Sequence, residues 1–304
     1  MRVFVTGASG YIGGSIAQAL VERGDQVAGL TRTAERAREL KARGIEPVVG
    51  ELRAWSLLIE QAKAADAVVN AANSDEAYAV AALIEGLRRT GRTLIHTSGT
   101  SIVGDMAAGA LSDRVHTEDS ALEPRFEKAG RVAIDRAVLG AAHEDVRAIV
   151  ICPSMIYGEG RGLHKHSIQV PELIKVARET GAGRHVGAGE NRWGNVHIED
   201  LAELYLLALD RAPAGSFFFA ENGEASLKEI AAAISRMLGF DGTTRPLSLD
   251  EALERWAPAA VHYSFASNSR VTAEKARAML GWQPRHDSII EEIEHGCYAR
   301  DNAA

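Results

Sequence analysis

Cysteine is scarce in this sequence, and its scarcity excludes several classes of protein. Only Cys152 and Cys297 occur in 304 residues, too few for the disulfide framework of a small secreted domain. Cys297 has no C-x-x-C or C-x-H spacing beside it. Cys152 lies in an apolar segment typical of a strand, so we expect it to be a buried core residue and not a nucleophile.

Basic residues and long apolar runs are also lacking. There are 34 Lys and Arg against 41 Asp and Glu, a formal net charge of -7, and an acidic surface disfavours a nucleic-acid partner. No stretch approaches the roughly 18 apolar residues of a membrane span, and no signal-peptide pattern is visible. The sequence predicts a cytoplasmic protein with no membrane partner. His164 and His166, alone in a glycine-rich loop, do not indicate a metal site.

What the sequence does contain is an alternation of short apolar runs and longer segments with helical periodicity. Apolar strands separated by helices indicate a parallel sheet covered on both faces, the doubly wound α/β arrangement of the Rossmann fold. The predicted strands are Val3–Thr6, Val27–Leu30, Pro47–Val49, Ala67–Asn70, Thr93–His96 and Arg147–Cys152. The predicted helices are Ile12–Arg23, Ala34–Arg43, Ala54–Ala64, Glu76–Thr90 and Val132–His143.

The second half of the sequence has a different character, beginning with the glycine-rich segment 158–194. We expect residues 1–155 to form a cofactor-binding domain, with residues 195–212 packing back onto it. Residues 156–304 should form mainly a smaller, substrate-binding lobe across the carboxyl edge of the sheet, where ligands bind in open α/β folds. The elements predicted there are helices at Pro171–Thr180, Ile198–Arg211 and Ser226–Leu238 and a strand at Ser216–Ala220.

The most specific motif is a G-x-x-G-x-x-G pattern between the first strand and the first helix, formed by Gly7, Gly10 and Gly13. Gly7 permits a tight turn, Gly10 lets the backbone approach a pyrophosphate, and Gly13 lets the helix pack closely on the strand. The free N–H groups at the start of the helix then meet the phosphates. The motif predicts a dinucleotide cofactor.

The end of the second strand distinguishes between the two nicotinamide cofactors. A site for NAD would place Asp or Glu there to bind the ribose 2′-hydroxyl. This sequence instead has Arg32, with Arg36 one helical turn later. Because a guanidinium can pair with a 2′-phosphate through two hydrogen bonds, these residues predict NADP(H).

Several motifs together resemble the short-chain dehydrogenase/reductase superfamily, in its NAD-dependent epimerase/dehydratase branch, over nearly the whole chain. They are VTGASGYIGG, VVNAAN, LIHTSGTSIVG, VICPSMIYGEG, NRWGNVHIEDLAELYLLAL, SFFFAENGEASLKEIAAAIS and LGWQPR, in the family's order. The resemblance implies an NAD(P)-dependent oxidoreductase or epimerase. It also implies the positions that surround the cofactor: Gly7, Ser9, Gly10, Tyr11 and Ile12 at the pyrophosphate, Glu51 and Leu52 at the adenine, Ala71, Ala72 and Asn73 at the ribose, and Pro153 and Met155 at the nicotinamide.

The catalytic motif of that family is absent. Most members carry Tyr-x-x-x-Lys on the helix after the fifth strand, but none of the six tyrosines here is followed by lysine four residues later. Alignment through Asp135 and Leu139 puts Glu127 at the tyrosine position and Arg131 at the lysine position. Arg131 could orient groups but not release a proton. Glu127 could act as an acid or base if burial raised its pKa.

Two further residues are candidates for the chemistry. Ser98, at the end of the fifth strand, matches the family's catalytic serine, with a hydroxyl that can donate to a substrate oxygen; Thr100 is its rival in that segment. Tyr157 follows the sixth strand and is a candidate acid, although the family uses this aromatic mainly for packing.

We therefore expect an NADP(H)-dependent oxidoreductase or epimerase acting on a small carbonyl, hydroxyl or sugar-like compound. The alternative is a redox sensor or regulator that binds NADP(H) without chemistry, which the missing tyrosine and lysine favour. The resemblance further suggests a homodimer formed through the helices at Glu76–Thr90 and Val132–His143.

Overall fold

The computed structural model describes residues 1–286 and 288–302. Within them, seven strands form one parallel sheet in the order β10-β6-β5-β4-β1-β2-β3. These strands are β1 (Arg2–Thr6), β2 (Gln26–Thr31), β3 (Glu46–Val49), β4 (Ala67–Asn70), β5 (Thr93–Thr97), β6 (Arg147–Pro153) and β10 (Ser216–Ala220). The doubly wound α/β prediction is confirmed, and each of the six predicted strands of the first half lies within two residues of its predicted bounds at either end.

Helices cover both faces of this sheet because successive side chains of each strand point to opposite sides. Val3 and Val5 pack in one apolar cluster, with helix α1 and helix α7, whereas Phe4 packs in the other. The helices are α1 (Tyr11–Arg23), α2 (Ala34–Ala42), α3 (Trp55–Ala64), α4 (Ala77–Leu87), α5 (Phe126–Gly140), α6 (Gln169–Thr180), α7 (Ile198–Arg211), α8 (Leu227–Met237), α9 (Leu249–Arg255), α10 (Pro258–Ala260), α11 (Glu274–Leu280), α12 (Ile289–His295) and α13 (Cys297–Asn302). No helix among the described residues is both long enough and apolar enough to cross a membrane.

Helix α5 begins six residues earlier than the sequence indicates, at Phe126 and not at Val132. Its first turns carry Glu127, Lys128 and Arg131, and the Phe126 side chain is 91% exposed. The start of the helix therefore has no apolar stripe from which periodicity could be recognised. Two short 3₁₀ turns flank the helix in sequence, at Thr100–Val103 and at Ala141–Glu144.

The second half of the chain contributes to both parts of the molecule. Strand β10 pairs in parallel with β6 at the edge of the main sheet, and α7 packs against α1. A separate apolar cluster contains residues of α6, α8 and α12 and of two small sheets. The strands of those sheets are β7 (Met155–Tyr157), β8 (Gly183–Val186), β9 (Arg192–His197), β11 (Glu224–Ser226) and β12 (Thr244–Leu247).

The strand order reverses between β1 and β4, which are neighbours in the sheet although they are three strands apart in sequence. Crossovers run to opposite faces from this point, so the carboxyl ends of the two strands leave a crevice between the loops that follow them. The loop after β1 contains Gly7 and Gly10, with Gly13 in the first turn of α1, and the loop after β4 contains Ala71–Asn73. The candidate site lies at this crevice.

Candidate cofactor and active site

The turn between β1 and α1 has the backbone geometry of a phosphate cradle. Gly7 has φ +72, and a Cβ placed there would lie 2.5 Å from the carbonyl oxygen of Ala71. A Cβ on Gly13 would lie 2.4 Å from the carbonyl oxygen of Gly7. No side chain caps the N-terminus of α1 at Gly10, and no acidic residue lies in its first turn. The first N–H groups of α1 therefore face the crevice in a positive field that suits a pyrophosphate.

A cleft of about 560 Å³ opens beside this turn. It brings together residues from the ends of β1, β2, β3 and β4, as expected of a dinucleotide site at the carboxyl edge of a parallel sheet. The residues that line it are Gly7, Ser9, Gly10, Leu30, Thr31, Arg32, Gly50, Glu51, Leu52, Arg53, Ala71, Ala72, Asn73, Glu76 and His164. Most of the residues that the sequence assigned to the cofactor thus surround one cleft.

Six assigned residues do not line this cleft. Gly13 shapes the turn from behind, and Ile12 packs against the apolar core. The hydroxyl of Tyr11 donates to the carbonyl oxygen of Gly158 at 2.8 Å, which ties α1 to the loop after β7. The other three are Arg36 on α2, Pro153 in β6 and Met155 in β7. Arg36 forms an ion pair with Glu39, and Pro153 and Met155 are buried.

Six residues of the cleft are not among those predicted from the sequence, namely Leu30, Thr31, Gly50, Arg53, Glu76 and His164, and the two basic side chains among them are Arg53 and His164. Arg53 follows β3, so a second guanidinium joins Arg32 at the end of the cleft near Glu51. His164 comes from the glycine-rich loop after β7, more than 100 residues beyond Arg53 in the sequence. No local motif marks either residue, because each reaches the cleft through the packing of a loop against distant elements.

Ser98 lies at the carboxyl end of β5, where its backbone N–H donates to the carbonyl oxygen of Ile151 at 2.8 Å. Its hydroxyl donates to Asp135 Oδ2 on α5 at 2.7 Å, and both side chains are buried. The hydroxyl proton of Ser98 is therefore directed at the carboxylate. The rival Thr100 begins the 3₁₀ turn after β5, and its buried hydroxyl has no hydrogen-bond partner within residues 1–286 and 288–302.

A chain of buried polar groups continues from Asp135 across the sheet. Asp135 Oδ1 faces His96 Nε2 at 3.6 Å. Asn70 Nδ2 donates to His96 Nδ1 at 2.9 Å, and Thr6 Oγ1 donates to Asn70 Oδ1 at 2.5 Å. Because His96 Nδ1 accepts a hydrogen bond, a neutral His96 carries its proton on Nε2, directed toward Asp135.

Burial determines the protonation states of Asp135 and His96. Burial raises the pKa of Asp135 to about 6, although the Ser98 hydrogen bond and the Arg131 charge act in the opposite direction. Burial, together with the nearby Arg131 charge, lowers the pKa of His96 to about 4. His96 is therefore neutral near pH 7, whereas the carboxyl of Asp135 changes charge close to physiological pH.

Arg131 is fixed beside Ser98. Its Nε and Nη2 donate to the two carboxylate oxygens of Asp75 at 2.8 and 2.5 Å, and its Nη1 donates to Ser101 Oγ at 3.2 Å. Asp75 lies in the loop after β4, two residues beyond Asn73 in the cleft. A bidentate pair of this kind holds the guanidinium in one orientation.

The other two acid–base candidates, Glu127 and Tyr157, lie outside the buried polar chain that contains Ser98 and Asp135. Glu127 is exposed, and hydrogen bonds, first from its own backbone N–H, hold its pKa below the usual value. The condition that burial should raise this pKa is not met. Tyr157 is fully buried, packs edge-on against the His197 ring and directs its hydroxyl at the carbonyl oxygen of His286. This placement corresponds to the packing role.

One group among the described residues could supply three metal ligands: His197, Glu199 and His286. The two imidazole rings stack at 3.6 Å with an interplanar angle of 15°. Stacked rings direct their in-plane lone pairs along parallel planes, so they do not converge on one tetrahedral ion. In addition, His197 Nδ1 accepts a hydrogen bond from the Glu199 backbone N–H, which leaves the proton of the neutral ring on Nε2.

Comparisons with known proteins agree with this geometry. Residues 3–218 match the NAD dependent epimerase/dehydratase family. The chain is 32% identical to the oxidase ucsJ of Acremonium sp over 332 residues, covering 96% of this chain and 95% of that protein. It is 28% identical to the 4-hydroxy-2-methyl-3-oxo-4-farnesyl-3,4-dihydroquinoline-1-oxide ketoreductase of Stigmatella aurantiaca over 240 residues, covering 73% and 69%.

Among solved structures, the chain is similar to the UDP-glucuronic acid 4-epimerase of Bacillus cereus, in complex with UDP-glucuronic acid and NAD. The TM-score is 0.77 at 16% identity, and the match covers 99% of each chain. This similarity establishes the fold.

Proposed function

The chain belongs to the NAD-dependent epimerase/dehydratase family and is an NAD(P)-dependent oxidoreductase or epimerase, and from this premise we propose that it is an NADP(H)-dependent reductase of a small ketone or aldehyde. NADP(H), when bound, would supply the hydride at its nicotinamide ring. The chain's own residues would hold the cofactor, orient the substrate oxygen and provide the proton.

The observation that carries the proposal is the position of Ser98 relative to the cofactor cleft. Strands β4 and β5 pair in parallel with Asn70 opposite His96. The segments that follow them, Ala71–Asn73 and Ser98, therefore leave the sheet side by side at its carboxyl edge. Ser98 does not line the cleft itself, but a hydroxyl one strand beyond it would be placed to act on an oxygen of a substrate bound beside the cofactor. The ketoreductase relative supports a carbonyl substrate.

The arginines of the cleft support NADP(H) over NAD(H). Arg32 is exposed at the end of β2, and Arg53 lines the same cleft. Two guanidinium groups favour the ribose 2′-phosphate, which carries about two negative charges. Arg131, held by Asp75 beside Ser98, would contact the nicotinamide ribose in place of the lysine.

For the substrate, we propose the cavity of about 300 Å³ that begins at the 3₁₀ turn after Ser98. It contains both apolar and charged groups, which suits an amphipathic or acidic carbonyl compound. Its lining residues are Ile102, Val103, Gly104, Asp105, Met106, Ser112, Arg114, His116, Glu123, Arg125, Asn268 and Arg270.

The homodimer suggested by the resemblance stays a prediction. An apolar groove of about 550 Å³ runs between α4 and α5, the two helices in question, and it includes Val80, Ile84 and Ile134. The regulator without chemistry is set aside, because the two relatives described above are both named for enzymatic activities.

The proposal is tested by following NADPH oxidation with a panel of ketones and aldehydes, with and without an acidic group, and with sugar nucleotides for comparison. We expect saturable NADPH oxidation with at least one carbonyl compound, at a kcat on the order of 1–10 per second. Tight NADPH binding with no turnover of any carbonyl compound would contradict a reductase. Conversion of a sugar nucleotide without net NADPH consumption would indicate an epimerase.

A further inference from the structure

We infer that Asp135 is the positioning residue that supplies the proton for carbonyl reduction through Ser98, in place of the tyrosine and lysine that this chain lacks. The inference rests on the proposed function. Asp135 is buried behind Ser98 on α5, and its Oδ2 accepts the Ser98 hydroxyl proton at 2.7 Å. Of these two residues, only Ser98 would contact the substrate.

The direction of the Ser98–Asp135 hydrogen bond determines what Ser98 can do. A serine hydroxyl has one proton, and while Asp135 is ionised that proton is donated to the carboxylate. When Asp135 is protonated, its own O–H donates to Ser98 Oγ, and the Ser98 proton becomes available to a substrate oxygen. The protonated form of Asp135 is therefore the form that is competent for reduction.

The step balances in atoms and charge. With a hydride and its two electrons supplied to the carbonyl carbon by the bound nicotinamide, the carbonyl oxygen would take the Ser98 proton and become a hydroxyl. Ser98 Oγ simultaneously takes the proton from Asp135 Oδ2, which becomes a carboxylate. The hydrogen bond then runs from Ser98 to Asp135. The carboxylate regains a proton from solvent through Ser98 once the product has left.

His96 completes the arrangement on the other carboxylate oxygen. Its Nε2 and Asp135 Oδ1 face each other at 3.6 Å, and neither atom has a hydrogen-bond partner in the described part of the chain. Asn70 fixes the imidazole so that the Nε2 proton is directed at Asp135. A short movement of either side chain would therefore let His96 Nε2 donate a hydrogen bond to the Asp135 carboxylate that proton transfer produces. This hydrogen bond would stabilise the carboxylate, although His96 itself is uncharged.

Few other charged or titratable groups act on Asp135. Arg131 lies one helical turn before it on α5 and favours its ionised form, whereas Asp75, from the loop after β4, disfavours that form. Cys152 lies close by in β6 as a buried thiol whose pKa is raised by burial. Burial of Asp135 between these elements raises its pKa to about 6, within reach of the pH at which a general acid operates.

The first test does not depend on activity. Infrared difference spectra between the wild-type protein and Asp135→Asn, recorded without cofactor across a pH series, isolate the carbonyl band of the protonated Asp135 carboxyl. We expect that band to disappear with a midpoint near pH 6. In Ser98→Ala the midpoint should rise, because the carboxylate loses its donor. A midpoint below about pH 4.5, near that of an ordinary aspartate, or one that Ser98→Ala leaves unchanged, would overturn the inference.

The second test uses the best carbonyl substrate of the panel. Asp135→Asn can still donate a hydrogen bond to Ser98 but holds no proton to transfer, so we expect kcat to fall about 100-fold. The KM and the NADPH Kd should change less than about threefold, and the decline of wild-type kcat above the Asp135 pKa should vanish. The exposed Asp241, which lies in a turn at φ 53, provides the control Asp241→Asn, since asparagine tolerates this conformation.

These experiments distinguish the role of Asp135 from the proposed reductase function. An Asp135→Asn variant that binds NADPH normally and keeps the wild-type kcat and pH profile would overturn the role of Asp135 while leaving the reductase intact. A wild-type protein that reduces no carbonyl compound would contradict the proposed function, and the infrared midpoint would still support or overturn the coupled protonation of Asp135. If Asp135→Asn loses NADPH binding, the variant Ser98→Thr, which keeps the hydroxyl, takes its place. Its kcat should keep the wild-type dependence on pH. Loss of that dependence in Ser98→Thr would count against the role of Asp135.

Discussion

Replacing Gly13 with alanine is expected to weaken NADPH binding by about 100-fold. The added Cβ would lie 2.4 Å from the carbonyl oxygen of Gly7 and 2.7 Å from its carbonyl carbon. Both atoms belong to the backbone, so the clash is relieved only if α1 and the turn move apart. That movement displaces the N–H groups that would bind the pyrophosphate. Since each 1.4 kcal/mol is a factor of ten in affinity, a misplacement that removes about 3 kcal/mol of binding gives this loss.

Fluorescence titration with NADPH measures this effect, and thermal unfolding checks the fold. We expect Gly13→Ala to remain folded, destabilised by about 1–3 kcal/mol because the site is overpacked. The matched control is Gly140→Ala at the end of α5, where a Cβ meets no atom within 4 Å. This control should bind NADPH like the wild type. A Gly13→Ala variant with wild-type affinity would show that the turn does not hold the cofactor.

Replacing Arg32 with aspartate is expected to reverse or abolish the preference for NADPH over NADH. The change removes a guanidinium from the cleft at the end of β2 and places a carboxylate there. A charge-assisted hydrogen bond contributes about 1.5–3 kcal/mol, so NADPH affinity should fall by about 10- to 100-fold. The NADH affinity should change little or improve, because a carboxylate can accept hydrogen bonds from the ribose 2′-hydroxyl.

The matched control for Arg32 is Arg38→Asp. Arg38 is exposed on the adjacent helix α2 and does not line the cleft, so the same change of charge occurs outside the site. Titrations of both variants with both cofactors give four dissociation constants to compare with the wild type. Equal losses for NADPH and NADH in Arg32→Asp would contradict the assignment of NADP(H), and a change of preference in Arg38→Asp would attribute the effect to net charge alone.

Much of the fold could be predicted from local patterns. The apolar strands of the first half and the helices between them carry periodicities that depend on burial alone, and α7 and β10 were predicted at Ile198–Arg211 and Ser216–Ala220 with the bounds observed. The strands β7, β8, β9, β11 and β12 were not predicted. Strands β8, β9, β11 and β12 carry no continuous apolar run, and β7 has only three residues. Their pairing is determined by partners far away in sequence.

The candidate site could be predicted less completely than the fold. The glycine turn and Arg32 were recognisable because the chemistry needs those residue types at fixed positions after a strand. Asp135 served only to align the helix, since nothing in its local sequence shows that α5 would bury it behind Ser98. The hydrogen bond between residues 37 positions apart exists because α5 packs on β6 and on the 3₁₀ turn after β5.

The most direct test of a hydride-transferring reductase is the fate of the hydrogen on the nicotinamide ring. The protein is mixed with NADPH carrying deuterium on one face of the ring carbon, and with the carbonyl compound that it converts fastest. We predict that, for one of the two labelled faces, the product alcohol carries one deuterium on the former carbonyl carbon, and that for the other face it carries none. An alcohol without deuterium from either labelled cofactor, or with equal amounts from both, would contradict the account.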